Sequence, residues 1–194
     1  MTSHKWRLLE PHPATPPGAP FRVAAEAARE GDGFLAFRFV AEGTVSALAV
    51  PPPANAPCRR HLLWQHTCFE AFVAAAPGGP YHELNFSPSG EWAHYAFRAY
   101  REGGWVEGGG PSPGIRVERD DGRLALSARI PLAGLSPDLV AAPVHLALSG
   151  VLEEKDGRIS HWALHHPSEK ADFHHASAFK MRLDPPTRDG RAPA

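Results

Sequence analysis

Cysteine is scarce in this chain: 194 residues contain two, Cys58 and Cys68. Small secreted scaffolds held by disulfides carry far more. Two reduced thiols are therefore expected, with a redox switch between Cys58 and Cys68 as the alternative. A charge surplus of either sign is also missing, since 20 Lys plus Arg stand against 21 Asp plus Glu. Proteins that live on phosphate contacts carry a clear basic excess, so a general nucleic-acid binder is excluded. No run approaches the ~20 apolar residues needed to span a bilayer, and no membrane partner is expected. The first thirteen residues lack the apolar stretch of a secretory signal, which points to a cytoplasmic protein.

What is present is a foldable core and many turns. Hydrophobic residues make up 43% of the chain, with 21 prolines and 18 glycines. That much apolar content rules out global disorder, and the Pro and Gly content disfavours long helices. Asp-Gly pairs at Asp32-Gly33, Asp121-Gly122 and Asp156-Gly157 sit between strand-like runs and suit type I′ hairpin turns. Ser87-Pro88-Ser89-Gly90 has the Pro and Gly placement of a type I turn. In the segment 123–130, Leu124, Leu126, Ala128 and Ile130 alternate with Ala125, Ser127 and Arg129, the period of a half-buried strand.

With runs at 21–29, 34–40, 44–50, 67–75, 81–86, 91–100, 115–120, 144–154, 158–164 and 177–183, about ten or eleven strands are expected. Such spacing reads as an all-β, antiparallel two-sheet β-sandwich. Only 24–29 and 137–140 invite a helical reading, and both are too short for a stable helix. Loops are expected at 10–20, 51–60 and 103–114. One domain over 1–183 and a frayed tail over 184–194 complete the outline.

Strand parity gathers the polar chemistry. Along 66–73, Phe69, Ala71 and Val73 point one way, while Cys68, Glu70 and Phe72 point the other. Glu83 and Asn85 share a face of the next strand, and Trp92, His94 and Arg98 share one of the strand after it. Adjacent strands would bring Trp64, Glu70, Glu83, Asn85, His94 and Arg98 onto one sheet face. Buried carboxyls and a guanidinium need each other or a ligand, and an aromatic-walled cleft with convergent polar groups is a small-molecule site. A saccharide suits it, since its hydroxyls match carboxylate, amide and guanidinium. A purely structural Glu–Arg network stays open beside this reading. So does a glycosidase using Glu70 and Glu83 as acid and nucleophile or base. Five of the twelve histidines fall within 160–175, where Trp162 offers a second aromatic wall.

Three runs, LWQHTCFEAFV (63–73), YHELNFSPSGEWAHYAF (81–97) and SHWALHHPSEKADFHH (160–175), resemble the DOMON-like superfamily in the branch related to family 9 carbohydrate-binding modules. The resemblance implies a jelly-roll-type β-sandwich that binds a saccharide without catalysis and without a cofactor. It further implies Trp64 and Trp162 as an aromatic sandwich, with Glu70, Asn85 and Arg98 on the sugar hydroxyls. The haem-binding branch implies the alternative, an electron-transfer or sensor domain. Its Met–His iron ligation would have to come here from His165, His166, His174 and Met181.

Overall fold

The computed structural model describes residues 5–31, 33–106 and 110–186. They form twelve strands: β1 (Arg7–Pro11), β2 (Phe21–Glu30), β3 (Phe34–Gly43), β4 (Cys68–Ala74), β5 (Tyr81–Phe86) and β6 (Trp92–Ala99), then β7 (Glu102–Trp105), β8 (Gly114–Arg119), β9 (Arg123–Pro131), β10 (Val144–Glu153), β11 (Ile159–Ala163) and β12 (Met181–Leu183). Hydrogen bonds join them antiparallel in the order β7-β6-β5-β4-β10-β11-β1-β2-β3-β9-β8, with β12 also on β10. The corner of this ribbon is β1. Its Arg7, Leu8 and Leu9 pair with β2, while Glu10 and Pro11 pair with β11. The two halves fold over as a β-sandwich and share one core.

Aromatic rings carry that closure. Phe39 of β3 stacks on Phe69 of β4 at 5.0 Å between centroids, and Phe37 meets Phe86 of β5 at 5.8 Å. Around them pack Leu124, Leu126 and Ile130 of β9 and Leu146 and Leu148 of β10, all buried. The expected alternation along β9 is present residue by residue. No helix among the described residues is long and apolar enough to cross a membrane.

Several local expectations are corrected. Residues 44–50 are not a strand. They form a 3₁₀ turn at Val45–Ala47 and a single bridge from Leu48 to Glu154. Val45 and Leu48, both fully buried, are three apart, the spacing that a 3₁₀ turn puts on one side. The last strand begins at Met181 rather than 177, because Ala176–Ala178 is another 3₁₀ turn. Two strands went unread: β1, too short to show a period, and β7, whose Gly103 and Gly104 have poor strand propensity.

Two of the Asp-Gly turns also differ from type I′, which requires positive φ at both central residues. At the 154–157 turn Gly157 donates to the Glu154 carbonyl and alone has positive φ, 86°. That is a type I turn followed by a left-handed glycine. At Asp121-Gly122 the Asp120 N–H donates to the Arg123 carbonyl at 2.9 Å, and the Asp120 carboxylate accepts from the Gly122 N–H at 2.9 Å. Asp32 of the first pair lies outside the described residues, as do 187–194 of the expected tail and 107–109 of the expected loop.

Because the Phe39–Phe69 stack links the two halves, Phe39→Ala is expected to cost about 3–5 kcal/mol of unfolding free energy in urea titration. A loss below about 1 kcal/mol would mean that the halves do not close through this pair.

Candidate functional site

The parity of β4 divides its side chains between two environments. Phe69, Ala71 and Val73 enter the inter-sheet core, while Cys68, Glu70 and Phe72 face outward. Cross-strand pairing extends the outward face. Glu70 lies opposite Asn85 on β5 and Ser149 on β10, Phe72 opposite Glu83, Glu83 opposite Tyr95 on β6, and Val151 opposite His161.

An outer sheet face is ordinarily solvated. Here the chain covers it. β11 and β12 occupy the same edge of β10 end to end, opposite 149–153 and 144–146 respectively. Residues 165–180 therefore leave the sheet and return to it. Phe173, Ala178 and Phe179 of this crossing segment pack on Phe72, Ala74 and Tyr81.

Between the face and the crossing segment lies a cavity of about 350 Å³, at the small end of ligand sites, which run to roughly 300–1,000 Å³. The strands contribute Glu70, Glu83, Tyr95, Phe97, Val151 and His161 to its lining. Flanking turns contribute Trp64 and Arg101, and the crossing segment contributes Ala171, Phe173 and His174.

The two turn residues are held in unusual backbone. Leu62, with φ of 63°, opens the 3₁₀ turn that carries Trp64, and its N–H donates to the Tyr95 hydroxyl at 3.1 Å. A left-handed leucine is costly without such support. Trp64 is left 44% exposed at the cavity. Arg101, with φ of 54°, donates its backbone N–H to the Tyr81 hydroxyl at 3.1 Å. Its guanidinium pairs with Asp172 at 3.0 Å, and the Tyr100 hydroxyl donates to the same carboxylate at 2.7 Å. Asp172 thereby ties the crossing segment to the β6–β7 turn.

The carboxyls Glu70 and Glu83 are 3% and 6% exposed. Burial, followed by the nearby charge of Glu83, pushes Glu70 well above the usual carboxylate range, against a bond from the Ser149 hydroxyl. Burial raises Glu83 to about 7, opposed by the Asn85 amide and the positive Arg101. Asn85 Nδ2 donates to Glu83 Oε1 at 2.9 Å. His174 Nε2 stands 3.6 Å from Glu83 Oε2, and its Nδ1 accepts from the Tyr81 hydroxyl at 2.8 Å. Burial, with Arg101 second, lowers His174 to about 4, so its imidazole is neutral at pH 7. Cys68, fully buried on this face, has its thiol pushed up by burial and then by Glu70. Such a thiol is unreactive.

Of the residues anticipated for the site, Trp64, Glu70 and Glu83 meet at the cavity, with Asn85 buried against Glu83. Arg98 and His94 do not join them. Tyr95 and Phe97 share the face of Glu83, so the even positions of β6 turn away. Arg98 is solvent-exposed and donates to Glu102 at 3.0 Å, and His94 meets His82 at 3.1 Å. The guanidinium of the site is Arg101.

Trp162 is 3% exposed within the inter-sheet core, its indole N–H donating to Ser160 Oγ at 2.9 Å. It lies on the other side of the sheet from the cavity, and the Trp64–Trp162 sandwich is not formed. The four candidate haem ligands are not gathered either. Met181 packs in the inter-sheet core, His174 lies in the outer cavity, and His166 Nε2 donates to the Glu10 carbonyl at 2.8 Å. His165 lies two positions beyond the last residue of β11. Among the described residues no group of three or more His, Cys, Asp or Glu is placed to hold a metal ion.

Sequence reasoning missed Tyr95, Phe97, Arg101, Val151, His161 and Phe173. Tyr95 and Phe97 share the more apolar parity of 92–99 with Ala93, which was itself the available signal.

Glu83 has a defined consequence for stability. Its folded value, about 7, exceeds the unfolded carboxylate value of ~4.3, so the folded state holds the proton more tightly. The associated stability is full below ~4.3 and is lost as pH rises through about 7. Glu83→Gln removes that loss. Relative to the parent, this variant is expected to gain up to a few kcal/mol as pH rises from ~4.5 to ~7 and nothing further above it. Paired urea titrations across pH measure this, and a pH-independent difference would contradict it.

No family model matches the chain, and no curated protein matches its sequence. Solved structures do match its fold. One is a family 9 carbohydrate-binding module from Caldicellulosiruptor kristjanssonii in complex with cellotriose: TM-score 0.59, 10% identity, covering 98% of this chain and 88% of that one. The same kind of module in complex with glucose gives a TM-score of 0.56 at 10% identity, again over 98% and 88%. A protein from Bacteroides uniformis held to be carbohydrate-binding gives 0.66 at 13% identity, over 91% and 84%. The chain thus has the β-sandwich fold of family 9 carbohydrate-binding modules.

Proposed function

We propose that this protein is a carbohydrate-binding module that takes a small saccharide in the cavity between the β4–β5 face and the crossing segment. The observation that carries the reading is one cavity that combines an exposed indole, Trp64, with two buried carboxyls, Glu70 and Glu83. An indole gives a flat apolar surface for the C–H face of a pyranose. Carboxyl oxygens accept bonds from adjacent hydroxyls. Tyr95, Phe97 and Phe173 supply further apolar wall. The fold is shared with modules whose complexes hold cellotriose and glucose, which supports the same ligand class. Binding is the whole of the proposed activity, with no cofactor and no chemical step.

Calorimetric titration with glucose, cellotriose and other short saccharides tests the reading. Trp64→Ala is expected to weaken binding by about tenfold or more, while stability stays within about 0.5 kcal/mol because the side chain is half-exposed. Absence of binding by every saccharide tried, together with a saturable Soret shift on adding haemin, would replace this reading with the haem one. Unchanged affinity in Trp64→Ala would move the site elsewhere.

A further inference from the structure

The charges around the cavity do not balance. Three carboxyls stand there, Glu70, Glu83 and Asp172, against one guanidinium, Arg101, which is paired with Asp172 at 3.0 Å. Among the described residues, Glu70 has no cationic partner and a single hydrogen bond, from the Ser149 hydroxyl at 3.3 Å. Near Glu83 stand the His174 ring at 3.6 Å, a neutral imidazole beside Tyr81, and Arg101, whose guanidinium is paired with Asp172 and acts on Glu83 only through its charge.

The hydrogen-bonding inventory is lopsided in the same direction. Asn85, with no exposed surface, spends its amide N–H on Glu83, and its Oδ1 has no partner. Asn85 lies directly opposite Glu70 on the neighbouring strand and donates to Glu83, so the residue adjoins both carboxyls. Buried acceptors left without donors are costly. A group that carries several donors, a positive charge and no acceptor fits such a place, and an ammonium is that group.

Resting on the saccharide reading above, we infer that the ligand is an amino sugar, whose ammonium enters between Glu70 and Glu83 while the ring lies toward Trp64. Neutral sugars would leave the carboxyl pair held by its protons alone, with no charge-assisted bond gained, and acidic sugars would add a like charge to it. In the free protein protons do the compensating. Burial holds Glu83 at about 7 and Glu70 well above its usual range. The groups that face the pair are Cys68, Asn85 and Ser149 around Glu70, and Tyr81, Tyr95, Arg101 and His174 around Glu83. The arriving ammonium takes over that role, and protons pass to the buffer.

The experiment is calorimetry on the intact protein at pH 7 with glucosamine, glucose, N-acetylglucosamine and glucuronate, each in two buffers of different ionisation heat. Glucosamine is expected to bind about tenfold or more tightly than glucose, with glucuronate weakest. Only glucosamine should show a buffer-dependent heat from proton release. Glu70→Gln and Glu83→Gln, checked for folding by circular dichroism, should each reduce the glucosamine-to-glucose ratio severalfold. Glucose binding as tightly as glucosamine overturns the inference and leaves the saccharide reading standing. Failure of every sugar to bind the folded protein overturns both.

Discussion

One edge of β10 has to serve two strands. β11 takes the stretch opposite 149–153 and β12 the stretch opposite 144–146, so the chain between them must leave the sheet. It goes across the outer face, where Phe173 and Phe179 bury against Phe72 and Tyr81. From this crossing follow the roof of the cavity, the burial of Glu70 and Glu83, and the placing of His174 above Glu83. The same face without its crossing segment would be an open sheet surface, with its carboxyls hydrated and acidic.

The covered face is held by polar ties as well as apolar packing. Asp172 receives Arg101, the Tyr100 hydroxyl and the His174 N–H. These bonds keep it below its usual value against the effect of burial. Tyr81 links Arg101 to His174 through one hydroxyl. The crossing segment, the β6–β7 turn and β5 are thus joined through charged and hydroxyl groups that are satisfied among themselves. Glu70 and Glu83 stand outside this set of ties, Glu70 with a bond from Ser149 and Glu83 with one from Asn85. Preorganised polar groups at a covered apolar cavity are the ordinary composition of a binding site.

Much of this was legible in the sequence, because period-two alternation assigns faces without knowledge of the fold. Phe69, Ala71 and Val73 went to the core and Glu70 to the other side, as did Glu83 against Leu84. The limit was register. The 87–91 turn sets Asn85 opposite Ala93 and Glu83 opposite Tyr95, so odd positions meet odd ones. A hairpin one residue longer or shorter would have brought in His94 and Arg98 instead. On β11, Trp162 and His161 take opposite faces as alternation requires, but which side faces the core depends on how the two halves close. Arg101, Ala171 and Phe173 come from a turn and from an irregular crossing, where no period exists to read.

A two-dimensional amide NMR titration of the protein with a bound saccharide tests the location of the site most directly. Shift changes concentrated at Trp64, Glu70, Glu83, Tyr95, Arg101 and 171–174, and absent from the outer face of β2, β3, β9 and β8, are the predicted result. Changes gathered instead around Trp6, Arg38 and Arg116, which line a separate cavity on that second face, would contradict it.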